Sequence, residues 1–464
     1  MASQWVFEFL NEVPFYHVFL EVGLLMSVLW LIFHKSYNPK ELAQLTDKEK
    51  ELLIEEWTPE PLVGEVSLKH PAFRRRIING KAEKYMNIDG NLCLNMATHN
   101  YLGFTGNKEI EDTAVTSLHK YGVGSCGPRG FYGTVDVHLV LEERLAQFMK
   151  MEEAVVYSYG FSTIASAIPA YAKRGDVIFV DENVNFAIQK GLDASRSKVK
   201  FFKHNDMEDL ENLLMEQAEL DVKNPRKAQV TRRFLVVEGI YMNSGDICPL
   251  PKLVELRKKY KLRIFIDENI SFATLGEHGR GVTEYFNIPK EEIDMVMGSM
   301  EWSMSTIGGF CVGSTFVVEH QRLSGLGYCF SASLPPLLTA AAIKSLDIME
   351  NDPSMFKELQ TRCHLVHKAL SSLKSYELKG DLDSPVKHLY LQMQVKDSDK
   401  ELDMLNKIAD FCAENGVAVT TAAYLPVEKF KPRNSIRITV NNKLTEEEIQ
   451  KVTSVLEKAA DEIL

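Results

Sequence analysis

The chain has 464 residues, 45% hydrophobic and 25% charged, which excludes disordered and fibrous classes and allows two or three packed domains. Its formal net charge of −11 excludes a nucleic-acid binder, which needs a basic face. Seven scattered cysteines (Cys93, Cys126, Cys248, Cys311, Cys329, Cys363, Cys412) include no CxxC pair, so no metal centre or disulfide framework is expected and the thiols read as reduced, facing the cytosol.

Residues 1–14 carry Glu8 and Glu12 but no Lys or Arg. Trp5 and Phe9 there suit a helix lying in a membrane interface. Phe15 to Phe33, FYHVFLEVGLLMSVLWLIF, is a mostly apolar run. As a helix it would measure about 28 Å, roughly one hydrocarbon core. Residues 15–35 are therefore expected to form a single transmembrane anchor. Lys35 and Lys40 follow it, which places the N terminus on the far side and the bulk of the chain in the cytosol. A buried or interfacial helix is the alternative, because Glu21 weakens the span. No basic n-region or small-residue cleavage site marks a signal peptide. Thr46-Asp47-Lys48-Glu49 has capping-box spacing and should start a short helix carrying Leu52, Leu53 and Ile54. Pro59-Glu60-Pro61 ends it. Residues 36–94 read as a linker and N-terminal arm. Arg74-Arg75-Arg76 reads either as a solvated basic patch or as a seat for anionic lipid or an acyl-CoA phosphate.

From Asn95 onward, apolar runs alternate with helical ones. Strands are expected at 154–157, 177–180, 199–202, 234–237, 263–266, 295–298 and 309–312. Several are near-continuous apolar runs, as in strands covered on both faces. Helix-length segments lie between many of them, such as 206–218 and 250–260. The pattern predicts a large α/β domain over 95–335 with a mainly parallel sheet. After Pro335-Pro336, a helix over 337–350 opens a smaller α+β domain, 336–464, with strands at 389–394 and 436–440. A second capping box, Thr445-Glu446-Glu447-Glu448, starts a last amphipathic helix through Ile449, Val452, Leu456 and Ala459.

Several motifs stand in order along this body: Asn100-Tyr101-Leu102-Gly103; the glycine-rich YGVGSCGPRGFYG over 121–133; Glu238-Gly239 with Gly245-Asp246 and Pro249-Leu250; and Phe330-Ser331-Ala332-Ser333-Leu334-Pro335-Pro336. Together they resemble the α-oxoamine synthases, a family of pyridoxal-phosphate (PLP) enzymes. The resemblance runs from about Asn95 to the C terminus. It implies the fold-type I PLP-transferase architecture and a dimer with active sites at the subunit interface. Within the family it is strongest toward the non-catalytic long-chain-base subunits of serine palmitoyltransferases, which carry an N-terminal anchor.

PLP chemistry needs a lysine amine, a carboxylate on the pyridine nitrogen, a flat ring partner and a phosphate seat. The family places its lysine six residues before the first glycine of Ile307-Gly308-Gly309-Phe310, where this chain has Trp302. No lysine occurs between Lys290 and Lys344. The carboxylate position is kept as Asp267, which reads equally well as a strand-end residue capping nearby backbone. The histidine that follows it in active relatives is replaced by Ile270. The stacking histidine is replaced by Asn185, or by Phe186 under a one-residue shift. Gly160, within the Ser158–Thr163 turn, and Ser299 are vestiges of the phosphate cradle, and such a turn is also an ordinary N-cap. Glu301 replaces the family's Ser or Thr, and a carboxylate there repels a dianionic phosphate by roughly several kcal/mol.

The resemblance also implies that Cys126, Arg129, Tyr132, Ser331, Ala332 and Ser333 line the partner's active site. Cys126 has no nearby acid or histidine in sequence and reads as a small interface residue rather than a nucleophile. Gly127 and Gly130 are expected to allow close backbone approach. Arg437 matches the family's arginine for the substrate carboxylate and is expected here to form a structural ion pair.

The expectation is a catalytically silent, membrane-anchored subunit of a heteromeric serine palmitoyltransferase in the endoplasmic reticulum. Its partner would be a homologous lysine-bearing subunit that holds PLP and condenses L-serine with palmitoyl-CoA to 3-oxosphinganine. The resemblance adds small activating and inhibitory membrane subunits as further partners. The alternative is a non-enzymic membrane scaffold or regulator.

Overall fold

The computed structural model describes residues 15–34, 46–62 and 70–464. They belong to two compact units, Met1–Ser67 and Leu68–Leu464. The interfacial helix expected around Trp5 and Phe9 lies outside the described residues, as do Lys35 and Lys40.

In the first unit, Phe15–Phe33 is one α-helix. Phe19, Leu24, Leu25, Leu31, Ile32 and Phe33 on it are exposed. Among the described residues no helix is long and apolar enough to cross a membrane. The second helix, Asp47–Glu56, starts on the expected capping box: Thr46 accepts from the Glu49 N–H, and Glu49 accepts from the Thr46 N–H at 2.8 Å. It buries no residue; Leu52, Leu53 and Ile54 face solvent.

Within the stretch expected to be a linker and N-terminal arm, three strands form: β1 (Ile78–Asn79), β2 (Tyr85–Ile88) and β3 (Asn91–Asn95). β2 and β3 form a hairpin across Asp89-Gly90, both at positive φ (51° and 95°). Asp-Gly between short strands is a strong hairpin signal. The three-arginine patch precedes them. Arg74 and Arg76 both reach Asp410, at 2.5 Å each, so two of the three cations are committed to the protein's own carboxylate.

All seven expected strands of the large sheet form: β4 (Glu153–Tyr157), β5 (Val177–Asp181), β6 (Lys198–Phe202), β7 (Arg233–Glu238), β8 (Arg263–Asp267), β9 (Met295–Ser299) and β10 (Gly309–Gly313). Their order is β4-β10-β9-β8-β7-β5-β6. Every residue of β5, β9 and β10 is buried, which is why these runs are apolar without alternation. The sheet is mixed: β10 runs antiparallel to both β4 and β9, while β9, β8, β7, β5 and β6 are parallel.

The C-terminal part adds β11 (Tyr376–Lys379), β12 (Val386–Leu391), β13 (Val417–Ala418), β14 (Thr420–Thr421) and β15 (Ile436–Thr439). β11, β12, β15 and β14 form one sheet, and β13 joins the N-terminal hairpin in parallel with β3. The strand expected at 389–394 lies a few residues earlier. The last helix, Glu446–Ile463, keeps its capping box and buries Ile449, Val452, Leu456 and Ala459.

Candidate functional site

Parallel α/β sheets gather chemistry at the carboxyl ends of their strands. Asp181, Glu238, Asp267 and Ser299 are the last residues of β5, β7, β8 and β9, so the fold brings these sequence-distant groups to one edge. Facing them, the helix Gly160–Tyr171 begins just after β4.

Asp267 is 1% exposed. Its Oδ2 accepts from Asn185 Nδ2 at 2.8 Å and Asn269 Nδ2 at 3.2 Å, and its Oδ1 from the Asn269 N–H at 2.9 Å. Asn185 caps the helix Phe186–Ser195 through Oδ1. Its own N–H donates to Glu238 at 2.6 Å. Burial pushes both the Asp267 and Glu238 carboxyls well up, and for Glu238 the neighbouring Asp267 charge adds to it. Such a buried pair holds on to a proton that an isolated carboxylate would release. Ile270 is packed in the core.

The turn after β9 packs against the start of the helix Gly160–Tyr171. Glu301 Oε1 accepts the N–H of Gly160, the first residue of its helix, at 3.0 Å. The Glu301 N–H donates to Ser299 Oγ at 3.1 Å. Trp302 stacks on His99, with ring centroids 4.5 Å apart and planes at 22°. His99 Nδ1 in turn meets the Tyr101 hydroxyl at 2.6 Å. The hydroxyls of the Ser158–Thr163 turn face backbone: Ser158 bonds the Ala332 carbonyl, and Ser162 and Thr163 bond that of Tyr159. A Cβ on Gly309 would lie 2.3 Å from Thr163 Oγ1 and 2.9 Å from Gly160 Cα, so the helix start is seated directly on β10.

PLP does not fit these residues. The amine position is an indole, the ring carboxylate is already satisfied by two amides, and the N–H at the helix start is held by a carboxylate. Arg437 corrects a second expectation. Among the described residues it forms no ion pair, and its Nε is buried without a partner.

The loop residues expected to reach a partner divide. Arg129 turns inward. Its guanidinium binds Glu142 through both terminal nitrogens, at 2.8 and 3.0 Å, and its Nε binds Thr134 at 2.9 Å. Ser333 also turns inward, donating to the Gly133 carbonyl at 2.6 Å. Ser331 is half-buried and bonds the Gly327 carbonyl. Cys126, Tyr132 and Ala332 face outward. Cys126 and Tyr132 sit at positive φ (58° and 64°), a conformation that non-glycine residues hold only when their surroundings impose it. Gly127 does make a close approach, whereas Gly130 has open space around it; the tightest position is Gly133.

Sequence reasoning missed His204. It lies between Asp181 (2.9 Å) and Asp246 (3.0 Å). Burial pulls its pKa down, but the hydrogen bonds and charges of the two carboxylates outweigh this and raise it to about 9. A histidine raised in the folded state contributes stability that is complete below its unfolded value of 6.5 and is lost as pH rises through about 9. The denaturation midpoint should therefore fall across that window, and His204→Gln should flatten the profile there.

Residues 92–456 match the family described as aminotransferase class I and II. "Long chain base biosynthesis protein 1b" of Oryza sativa subsp. japonica is 40% identical over 97% of this chain and 92% of its own length. "Serine palmitoyltransferase 1" of Dictyostelium discoideum is 39% identical over 97% and 94%. Among solved structures, a serine palmitoyltransferase described with a PLP internal aldimine superposes with a TM-score of 0.74 at 25% identity, over 84% of this chain and 93% of that one. The chain belongs to the class I and II aminotransferase family. Within it, its place is with the proteins named long chain base biosynthesis protein 1 and serine palmitoyltransferase 1.

Proposed function

We propose that this chain is the non-catalytic subunit of a heteromeric serine palmitoyltransferase, acting in the first step of sphingolipid synthesis. A homologous, lysine-bearing subunit would bind PLP and condense L-serine with palmitoyl-CoA to 3-oxosphinganine. This chain would complete the dimer and present the loop around Cys126 and Tyr132 to that site. The observation that carries the reading is the turn after β9, where Trp302 takes the lysine position and Glu301 holds the helix start. A group that must form a covalent bond to an amine has none here.

The apolar helix Phe15–Phe33 supports a single-pass anchor, since an exposed stripe of this size needs a non-aqueous cover. The reading places that anchor in the endoplasmic reticulum membrane, with the bulk of the chain cytosolic. Small activating and inhibitory membrane subunits would complete the assembly.

Co-expression tests the proposal. The chain alone should give no turnover. Together with a lysine-bearing homologue it should give product that depends on both serine and palmitoyl-CoA. A partner equally active without this chain would overturn the subunit reading and favour a scaffold.

A further inference from the structure

The helix Gly160–Tyr171 begins without a cap of its own: Tyr159, at the N-cap position, makes no side-chain cap bond. Helix starts leave N–H groups without intrahelical acceptors and carry the positive end of the dipole, so they take an anion. Here the anion comes from 141 residues away in the chain, as the carboxylate of Glu301 on the Gly160 N–H. The turn that delivers it is fixed at both ends. Ser299 Oγ holds the Glu301 N–H, and the Met300 N–H bonds the Gly308 carbonyl at 2.9 Å. Gly160 itself is pressed against this turn, since a Cβ there would meet Ser299 Oγ at 2.8 Å.

We infer that Glu301 is a built-in anion that fills this chain's own phosphate seat, and that it keeps PLP out independently of the missing lysine. The inference rests on the family reading, which makes the start of this helix the cofactor's phosphate seat. It goes further in assigning the exclusion to one removable charge. A fixed carboxylate and a dianionic phosphate compete for the same N–H groups and repel each other at contact distance. Removing the carboxylate leaves the helix start short of an acceptor and open to an external anion.

The test uses the full-length chain purified without a partner, as wild type, Glu301→Ala and Glu301→Gln. Each is titrated with PLP, with inorganic phosphate and with pyridoxal, which lacks the phosphate. Binding is read by PLP fluorescence and by the shift in melting temperature. Wild type should show no shift with any of the three. Glu301→Ala should melt lower, and phosphate or PLP should restore it, with phosphate affinity at least about tenfold above wild type. Pyridoxal should not restore it. Glu301→Gln keeps an oxygen for the Gly160 N–H and should melt close to wild type, which separates loss of the cap from loss of the charge. Wild type binding phosphate or PLP as tightly as Glu301→Ala would overturn the inference, as would a folded Glu301→Ala that gains affinity for neither. Co-expression turnover reports on the subunit reading and ligand binding by the lone chain on this one, so either can fail without the other.

Discussion

Replacing Arg129 with methionine should cost about 3 kcal/mol of stability, the low end of the range for breaking a buried ion pair, because Arg322 still lies 3.9 Å from the Glu142 carboxylate. The side chains of Arg129 and Glu142 are 4% and 6% exposed. Glu142 also accepts the Val156 N–H at 3.0 Å, so it cannot swing out to water without breaking a bond to β4. Arg129 further lies over the Tyr328 ring, 5.5 Å from its centroid. The loss is measured as a lower denaturant midpoint at unchanged slope. The double variant Arg129→Met with Glu142→Gln should recover most of it, because a neutral amide still accepts the Val156 N–H and leaves no buried charge. A single variant within about 1 kcal/mol of wild type would mean that water solvates this pair.

Gly133→Ala should damage the complex more than it damages the chain. A Cβ there would stand 2.0 Å from the Gly127 carbonyl oxygen and 2.5 Å from that of Pro128. Both are backbone atoms of the same loop, so neither can move aside as a side chain can. The Ser333 hydroxyl that ties Gly133 to the loop before Pro335, 200 residues later, would shift with it. The cost in stability should be about 1–3 kcal/mol, as for overpacking elsewhere. Displacing Tyr132 by about 1 Å should lower turnover of the co-expressed complex on the order of 100-fold, the usual effect of misplacing a positioning element. Turnover within about twofold of wild type, in a complex that still assembles, would remove this loop from the partner's chemistry.

The parts that were legible in the sequence are those whose cause is local. β4 to β10 were found within a residue or two of their ends, most directly β5, β9 and β10, whose complete burial leaves continuous apolar runs. Thr46 and Thr445 announced their helices because a capping box is a four-residue contact. The mainly parallel sheet formed as expected, but strand direction is not written in an apolar run, and nothing in β10 itself marked it as the antiparallel exception. The connector 300–308 held the missing clue, being shorter than the dozen or so residues that a parallel crossover needs. β1 to β3 were missed because they are short and complete their sheet with β13, over three hundred residues later. In the site, the replaced residue types could be read directly, but not what replaced their contacts. No spacing rule shows Glu301 on Gly160, Asn185 on Asp267, or Arg129 turned toward Glu142. Arg437 was assigned an ion pair in place of the substrate carboxylate that the family's arginine holds, yet the surroundings that strand β15 gives it include Tyr101 and Tyr424, and among the described residues no carboxylate pairs with it.

Borohydride reduction of the chain purified without its partner, in the presence of PLP, tests the central claim most directly. Reduction fixes an imine between PLP and a lysine as a stable, fluorescent adduct. The account predicts no adduct within the peptide spanning residues 291–343, which contains no lysine, and no stoichiometric adduct elsewhere on this chain. A single stoichiometric adduct on the chain by itself would contradict it.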